Sequence, residues 1–551
     1  MTTAPYSMQE WPLLVHKMID HAAFVAPARE IVTQTVEGPV HRSDWSTVRD
    51  RSIRLMTALA GLGVRQGDRV STLAWNTYRH VECWYGTTGL GAVSHTVNPR
   101  LFEEQILYIL NHACARVLLF DLTFLSIVDA LLPRLSTIQH FVLMTDRDHM
   151  PANRPDLLCY EELLSAQTGE GNWAKLDENA PCGLCYTSGT TGNPKGVCYT
   201  HRSNVLHAMA AIQPDVLSLS ARSVAMPIVP MFHANAWAFP YAAAMVGAKL
   251  VLNGPEYAPE KLIALIKAEG VTISAAVPTV WQNVLKYLRT TGSDLKPLER
   301  ILVGGAAAPR SLMQQLVDDY GIEMVHAWGL TETSPIGSTS RLCATALMRN
   351  PEEQMDARCK QGRPVFGIEM AISDENGQDL PHDAASAGHL KVKGPWVANR
   401  YYEGVLTVDD HGWFDTGDIA TIDPDGYMQI TDRAKDIIKS GGEWISSVEL
   451  ENAAIGCPGI DEAAAIGVPD DTWSERPLLV MVREDDAAVT GKDVASYLSG
   501  RVAKWWIPDR MCFVDALPHT ATGKLNKMAL RESFLRGSLK LENIHGTNSP
   551  D

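Results

Sequence analysis

Twelve consecutive residues, Tyr186-Thr187-Ser188-Gly189-Thr190-Thr191-Gly192-Asn193-Pro194-Lys195-Gly196-Val197, bring together several hydroxyl donors, three glycines and one lysine. That mixture suits a polyanion. Glycines let backbone N–H groups approach phosphate oxygens and turn inward, hydroxyls add donors, and Lys195 adds a point charge. The run is not a Walker A loop, because Pro194 precedes the lysine where that loop has glycine, and Gly196 follows it where that loop has Ser or Thr. Taken alone, such a cluster is more often an ordinary polar loop.

Four further segments follow in order: His326-Ala327-Trp328-Gly329-Leu330-Thr331-Glu332-Thr333, Gly412-Trp413-Phe414-Asp415-Thr416-Gly417-Asp418, Asp432-Arg433-Ala434-Lys435-Asp436-Ile437-Ile438-Lys439-Ser440-Gly441-Gly442-Glu443, and Thr522-Gly523-Lys524. The ordered series resembles the adenylate-forming family of acyl-CoA synthetases, luciferases and peptide-synthetase adenylation domains. The resemblance spans about Asp68 to Lys527, and within the family the chain looks like the bacterial ligases for short- and medium-chain acids and for 3-methylmercaptopropionate.

The resemblance implies an ATP-dependent attack of a carboxylate on the α-phosphorus, with Mg²⁺ and coenzyme A as further participants. Thr187, Ser188, Gly189, Thr190, Thr191 and Lys195 would grip the outgoing phosphates. Thr331 would contact the α-phosphate and Glu332 would hold Mg²⁺, a hard cation that needs only one or two carboxylates when phosphates complete its shell. Gly304, Gly305 and Ala306 would line the adenine. Trp328 and Gly329 would flank it, Trp328 standing where tyrosine is usual, and His326 stands where an amide is usual. Asp418 would accept the ribose hydroxyls, and Arg433 would add a donor to ribose or phosphate. Lys524 would bridge the attacking carboxylate and ATP, a catalytic role shared with Thr331 and Glu332. Asp432 would be a hinge, about which rotation replaces Lys524 by Lys435, Lys439, Gly441, Gly442 and Glu443 at the coenzyme A path. His233, Asn235 and Trp237 would line the acyl pocket, and because amino-acid-activating relatives carry aspartate at the place of His233, amino acids are disfavoured.

These residues need a scaffold. From Arg69 onward, short apolar runs alternate with helical segments, a βαβ pattern that continues through Gly183–Thr187, Ser223–Val229, Lys249–Leu252, Thr272–Val277, Arg300–Gly304 and Glu323–Trp328. The expected fold is α/β: a large N-terminal domain over 1–431 of two stacked βαβ subdomains plus a small β-barrel-like unit around Gly362–Ile430, then a mobile α+β domain over 432–551. Ala234 to Ala248 reads as a core helix, too short to span a membrane. Cys182 and Cys185 read as a packed structural pair, and the last dozen residues as a frayed polar tail.

A chain of 551 residues suggests three to four domain-sized units, and its 46% hydrophobic and 20% charged residues are ordinary for a globular protein. The formal charge of −16 disfavours nucleic-acid partners and requires local cations wherever a phosphate binds. No basic-then-apolar leader is visible at the N-terminus, and ten scattered cysteines fit a reduced cytoplasm. Small-molecule acid, ATP and coenzyme A are the expected partners, with a homodimer left open. Three functions stay in view: an acyl-CoA ligase, including one for an aryl acid; a stand-alone adenylation enzyme loading a carrier protein; and a nucleotide sensor that has lost catalysis.

Overall fold

The computed structural model describes residues 8–187, 193–433, 436–440, 443–470, 472–519 and 525–544, with the backbone alone for 443 and 444. Ser188, Gly189, Thr190, Thr191, Lys435, Gly441, Gly442 and Lys524, and the side chain of Glu443, therefore lie outside the described residues.

Two sheets form the body of the large domain. One runs Leu157–Cys159, His140–Leu143, Ala115–Phe120, Arg69–Leu73, Val93–Thr96, Pro181–Tyr186, Gly196–Thr200, parallel until its last pair. The other places Glu323–Gly329, Arg300–Val303, Ile273–Ala276, Val224–Pro227 and Lys249–Leu252 side by side in parallel. Glu30–Gln34 pairs in parallel with Lys249–Leu252, and Val40–Asp44, antiparallel to Glu30–Gln34, forms that edge, so an N-terminal hairpin joins the second sheet. Helices cover both, as parallel strands buried on two faces require. Pro259–Glu269 and Pro278–Thr291 each begin with a proline and end before a glycine of positive φ, the arrangement that satisfies helix geometry at both ends.

The smaller units follow. Glu369–Ser373, Gly388–Lys393, Phe414–Ile422 and Met428–Arg433 form a four-stranded antiparallel meander. Beyond it, Ile460–Asp470 and Ser474–Arg483 make a long hairpin, which Arg510–Phe513 extends in parallel. Leu541–Asn543 pairs with Arg510–Phe513 and Ile544 is buried, so the chain is ordered into the sheet four residues deeper than a frayed tail would allow.

Two local expectations change. The Ala234–Ala248 segment is not one helix. Ala234 through Ala238 all carry positive φ, between 43° and 68°, and the right-handed helix spans only Phe239–Val246. Left-handed backbone costs roughly 1–2 kcal/mol per non-glycine residue, so surrounding packing must hold this turn. Cys182 and Cys185 are both buried but are not a pair. An odd separation along a strand sends them to opposite faces. Cys182 accepts a hydrogen bond from the Asn204 amide at 3.2 Å, while Cys185 packs with Val197 and Tyr199.

Candidate active site

Parallel strands deliver ligands to their carboxyl ends, and there this chain places two adjoining cavities of about 650 and 270 Å³. The strand Glu323–Gly329 ends at both, with Trp328 and Gly329 lining each. Thr331 and Glu332 follow on a short 3₁₀ turn in the wall of the larger. Gly329 is required for the turn, because a Cβ there would stand 1.7 Å from the Pro335 carbonyl oxygen. Gly337 is required for Trp328, because a Cβ there would meet the indole ring at 2.4 Å.

The described ends of the glycine-rich run belong to two paired strands. Its flanks, Pro181–Tyr186 and Gly196–Thr200, pair antiparallel, and the Thr187 N–H donates to the Lys195 carbonyl at 2.8 Å. Lys195 is exposed into the larger cavity, its ammonium 4.9 Å from the Tyr401 ring centroid. The Tyr401 hydroxyl in turn donates to Glu332 Oε1 at 2.6 Å. Burial, and then the neighbouring Glu332 carboxylate, push the phenol well above its usual range, so it remains a donor. Segment 398–402 is pinned there by the Ala398 N–H on the Glu332 carbonyl and the Tyr402 N–H on the Gly196 carbonyl, both at 2.7 Å. Tyr401 was not identifiable from sequence: its neighbours form no pattern, and its place is fixed by two long-range contacts.

The antiparallel meander sets the next group. Asp418 stands directly opposite Arg433, while the adjacent pair is Ile419 and Asp432. Directly opposed residues share a face and neighbours alternate, so Arg433 shares a face with Asp418 while Asp432 is turned to the opposite face, where the Ser447 N–H donates to it, and both border the smaller cavity. Arg433 Nε lies 2.8 Å from Asp418 Oδ1, and the Trp328 indole N–H donates to Asp418 Oδ2 at 2.9 Å. The carboxylate is fully buried and clamped from two sides. The edge of Trp328 is therefore committed to Asp418, a geometry that ring stacking alone does not require.

His326 lines the smaller cavity and donates from Nδ1 to the Cys359 carbonyl at 3.0 Å. Burial pulls its pKa down, so the ring is neutral with Nε2 as its acceptor. Gly305 lines both cavities, Gly304 the larger and Ala306 the smaller. His233 and Trp237 line the larger, and the Trp237 ring lies 3.4 Å from where a Gly304 Cβ would stand. Asn235 does not line either cavity. The left-handed turn directs its amide to Asn204 Oδ1 at 3.4 Å, within the protein interior. Asp432 borders the smaller cavity, whereas Lys439 is exposed and lines neither, its backbone N–H bound to Glu475. Leu525 lines both.

Residues 19–402 match the AMP-binding enzyme family and residues 449–524 match the AMP-binding enzyme C-terminal domain. The chain belongs to the AMP-binding enzyme family. Within it, the chain is an acid–thiol ligase. It is 48% identical over 531 residues to a 3-methylmercaptopropionyl-CoA ligase of Ruegeria lacuscaerulensis, covering 96% of this chain and 98% of that one. It is 47% identical over 525 residues to a medium-chain-fatty-acid–CoA ligase of Ectopseudomonas oleovorans, covering 95% and 96%. A solved anthranilate CoA ligase in complex with anthranoyl-AMP superposes with a TM-score of 0.86 at 24% identity, over 96% of this chain and 100% of that one, a likeness of fold. No described helix is long and apolar enough to cross a membrane.

Proposed function

We propose that this ligase converts a short- to medium-chain or thioether carboxylic acid, ATP and coenzyme A into acyl-CoA, AMP and pyrophosphate. The observation that carries the reading is the convergence on one cavity of a cation (Lys195), a carboxylate held by a phenol (Glu332), and a pocket wall closed by Trp237. Relatives named for 3-methylmercaptopropionate and for medium-chain fatty acids, at 48% and 47% identity, support that range of acids.

In the first half-reaction a carboxylate oxygen bonds to the α-phosphorus while the bond from that phosphorus to the bridging oxygen breaks, and pyrophosphate leaves. Lys195, with Thr187 and the residues that follow it, offsets the leaving charge, and Lys524 the charge at the reacting oxygens. Asp418 and Arg433 hold the ribose end. His326 Nε2 offers an acceptor to the adenine amine. Mg²⁺ fits a site with few protein ligands: no cluster of three metal-ligating side chains occurs among the described residues, so Glu332 would share the ion with phosphate oxygens. The ion would supply charge neutralisation at the phosphates. In the second half-reaction the thiol sulfur of coenzyme A bonds to the acyl carbon, AMP leaves, and the domain beyond Asp432 rotates so that Gly441 and Gly442 form the pantetheine path.

None of the ten cysteines forms a disulfide, which agrees with a cytoplasmic enzyme. Sedimentation separates a monomer from a homodimer. The deciding experiment is coenzyme A thiol consumption with acids from acetate to laurate plus aryl and thioether acids, alongside ATP–pyrophosphate exchange. Exchange without thiol consumption would instead identify a carrier-loading adenylation enzyme, and a preference for benzoates would move the acid class.

A further inference from the structure

A buried ionic cluster forms part of the wall of the smaller cavity, and none of its members has been given a substrate group to hold. Lys527 is its centre. The ammonium is 2.8 Å from Glu451 Oε1 with both side chains only 10% exposed, and it also donates to the Ser447 hydroxyl. Glu451 is fixed by the Ala465 N–H at 2.8 Å. The next link reaches the hinge: the Ser447 N–H donates to Asp432 Oδ2 at 2.7 Å, and the Ser446 hydroxyl donates to the Thr431 carbonyl. Lys527, Glu451 and Asp432 all border the smaller cavity.

Its sequence position gives the cluster a function. Lys527 is the first residue of the helix Lys527–Leu535, whose cap is Asn526, and Leu525 just before it lines both cavities. Leu525 is bridged to His519, and the Asn526 N–H donates to the Pro518 carbonyl at 2.8 Å. Leu525, which lines both cavities, is thus two residues from a lysine tied to the helix Ser447–Ile455 and, through that helix, to the hinge strand. Burying two charges is costly unless the geometry is exact for both, and a well-packed apolar pair is often as stable. Stability alone therefore gives no reason for a lysine here.

We propose that Lys527 is a positioning residue for adenylate formation: it braces Leu525, which lines both cavities, against the hinge strand carrying Asp432 and Arg433, and so sets where the chain passes at the nucleotide cavity. This rests on the adenylation reading above, in which Lys524, the residue before Leu525 in sequence, acts on the reacting oxygens. Lys527 touches no substrate in this account.

The test is ATP–pyrophosphate exchange by wild type, Lys527→Met, Lys527→Arg, the double variant Lys527→Met/Glu451→Met, and Lys524→Ala. A displacement of about 1 Å at a reacting group costs roughly 10²-fold, so Lys527→Met is expected to lower kcat by about that factor, with KM for ATP and acid little changed. Lys527→Arg should recover most of the rate. The double variant removes the unpaired Glu451 and should regain melting temperature without regaining exchange. Exchange restored together with melting temperature would reduce Lys527 to a structural ion pair and overturn the proposal, as would wild-type kcat in Lys527→Met. Full exchange in Lys524→Ala would overturn the adenylation assignment and this proposal with it, whereas loss in Lys524→Ala but not in Lys527→Met would overturn this proposal alone.

Discussion

Replacing Trp328 with phenylalanine separates two accounts of that side chain. Phenylalanine keeps an aromatic face for adenine and still fits against Gly337, but it deletes the indole N–H that sits 2.9 Å from Asp418 Oδ2. Asp418 keeps its ion pair with Arg433 at 2.8 Å but loses this donor in a fully buried position. A hydrogen bond to a charged group contributes about 1.5–3 kcal/mol, and about 1.4 kcal/mol is a factor of ten, so kcat/KM for ATP should fall roughly 10- to 100-fold. The assay is pyrophosphate exchange at saturating acid with ATP varied, for wild type, Trp328→Phe, Asp418→Asn and the double variant. If the indole acts by orienting the ribose-binding carboxylate, the two losses will not add, and the coupling energy will be about 1–2 kcal/mol. The penalty of Trp328→Phe should also shrink with 2′-deoxy-ATP, which lacks one hydroxyl for Asp418 to accept. A near-neutral Trp328→Phe, or losses that simply add and are equal for both nucleotides, would refute the clamp and return Trp328 to a stacking surface.

Three other outcomes follow from the geometry. Tyr401→Phe removes the donor that fixes Glu332 at 2.6 Å and should raise the Mg²⁺ concentration for half-maximal exchange by about tenfold; an unchanged Mg²⁺ requirement would detach Tyr401 from the metal. Trp237→Ala opens the pocket wall, and at about 0.8 kcal/mol per added methylene the octanoate-to-butyrate ratio of kcat/KM should rise by roughly tenfold or more; a constant ratio in a folded variant would show that Trp237 does not set chain length. Asp121 is buried against the Trp75 N–H at 2.7 Å, and burial raises its carboxyl from 3.8 to about 7. A pKa raised on folding gives stability that is complete below the unfolded value and lost as pH climbs through the folded one. The melting temperature of wild type relative to Asp121→Asn should therefore fall steadily from about pH 4 to about pH 7, and a difference flat across that window would mean the carboxylate stays ionised.

Much of the scaffold is legible because its signals are local. Proline-to-glycine framing marks the helices Pro259–Glu269 and Pro278–Thr291 to within a residue or so, and apolar runs mark the parallel strands. The left-handed turn at 234–238 is not legible, since three of its five residues are alanines, the best right-handed helix formers, and only tertiary packing overrides that preference. The docking of the Glu30–Gln34 and Val40–Asp44 hairpin onto Lys249–Leu252 is equally hidden, as that partner lies more than two hundred residues away. The chemistry shows the same division. Asp418, Arg433 and Glu332 stand out through the order of the segments that contain them, whereas Tyr401 and Lys527 are placed by contacts that no neighbouring residue encodes.

That division bears on how one strand can serve two half-reactions. Met428–Arg433 alternates its side chains, so Arg433 meets Asp418 on one face while Asp432 meets Ser447 on the other. Any rotation about Asp432 must break or re-form the Ser446 and Ser447 contacts, yet it need not move Asp418, which is held independently by Trp328 from the large domain. The indole clamp thus has a use beyond affinity. On the proposed function it would let a ribose anchor survive a change at the hinge that withdraws Arg433, so that an acyl-adenylate would stay bound while the domain beyond Asp432 turns. Under this reading Trp328→Phe should accelerate escape of acyl-adenylate into solution between the two half-reactions, seen as hydrolysed AMP exceeding acyl-CoA, and Arg433→Met should do so far less. Equal leakage from both variants would mean that the carboxylate depends on the two donors alike, and that the anchor moves with the hinge.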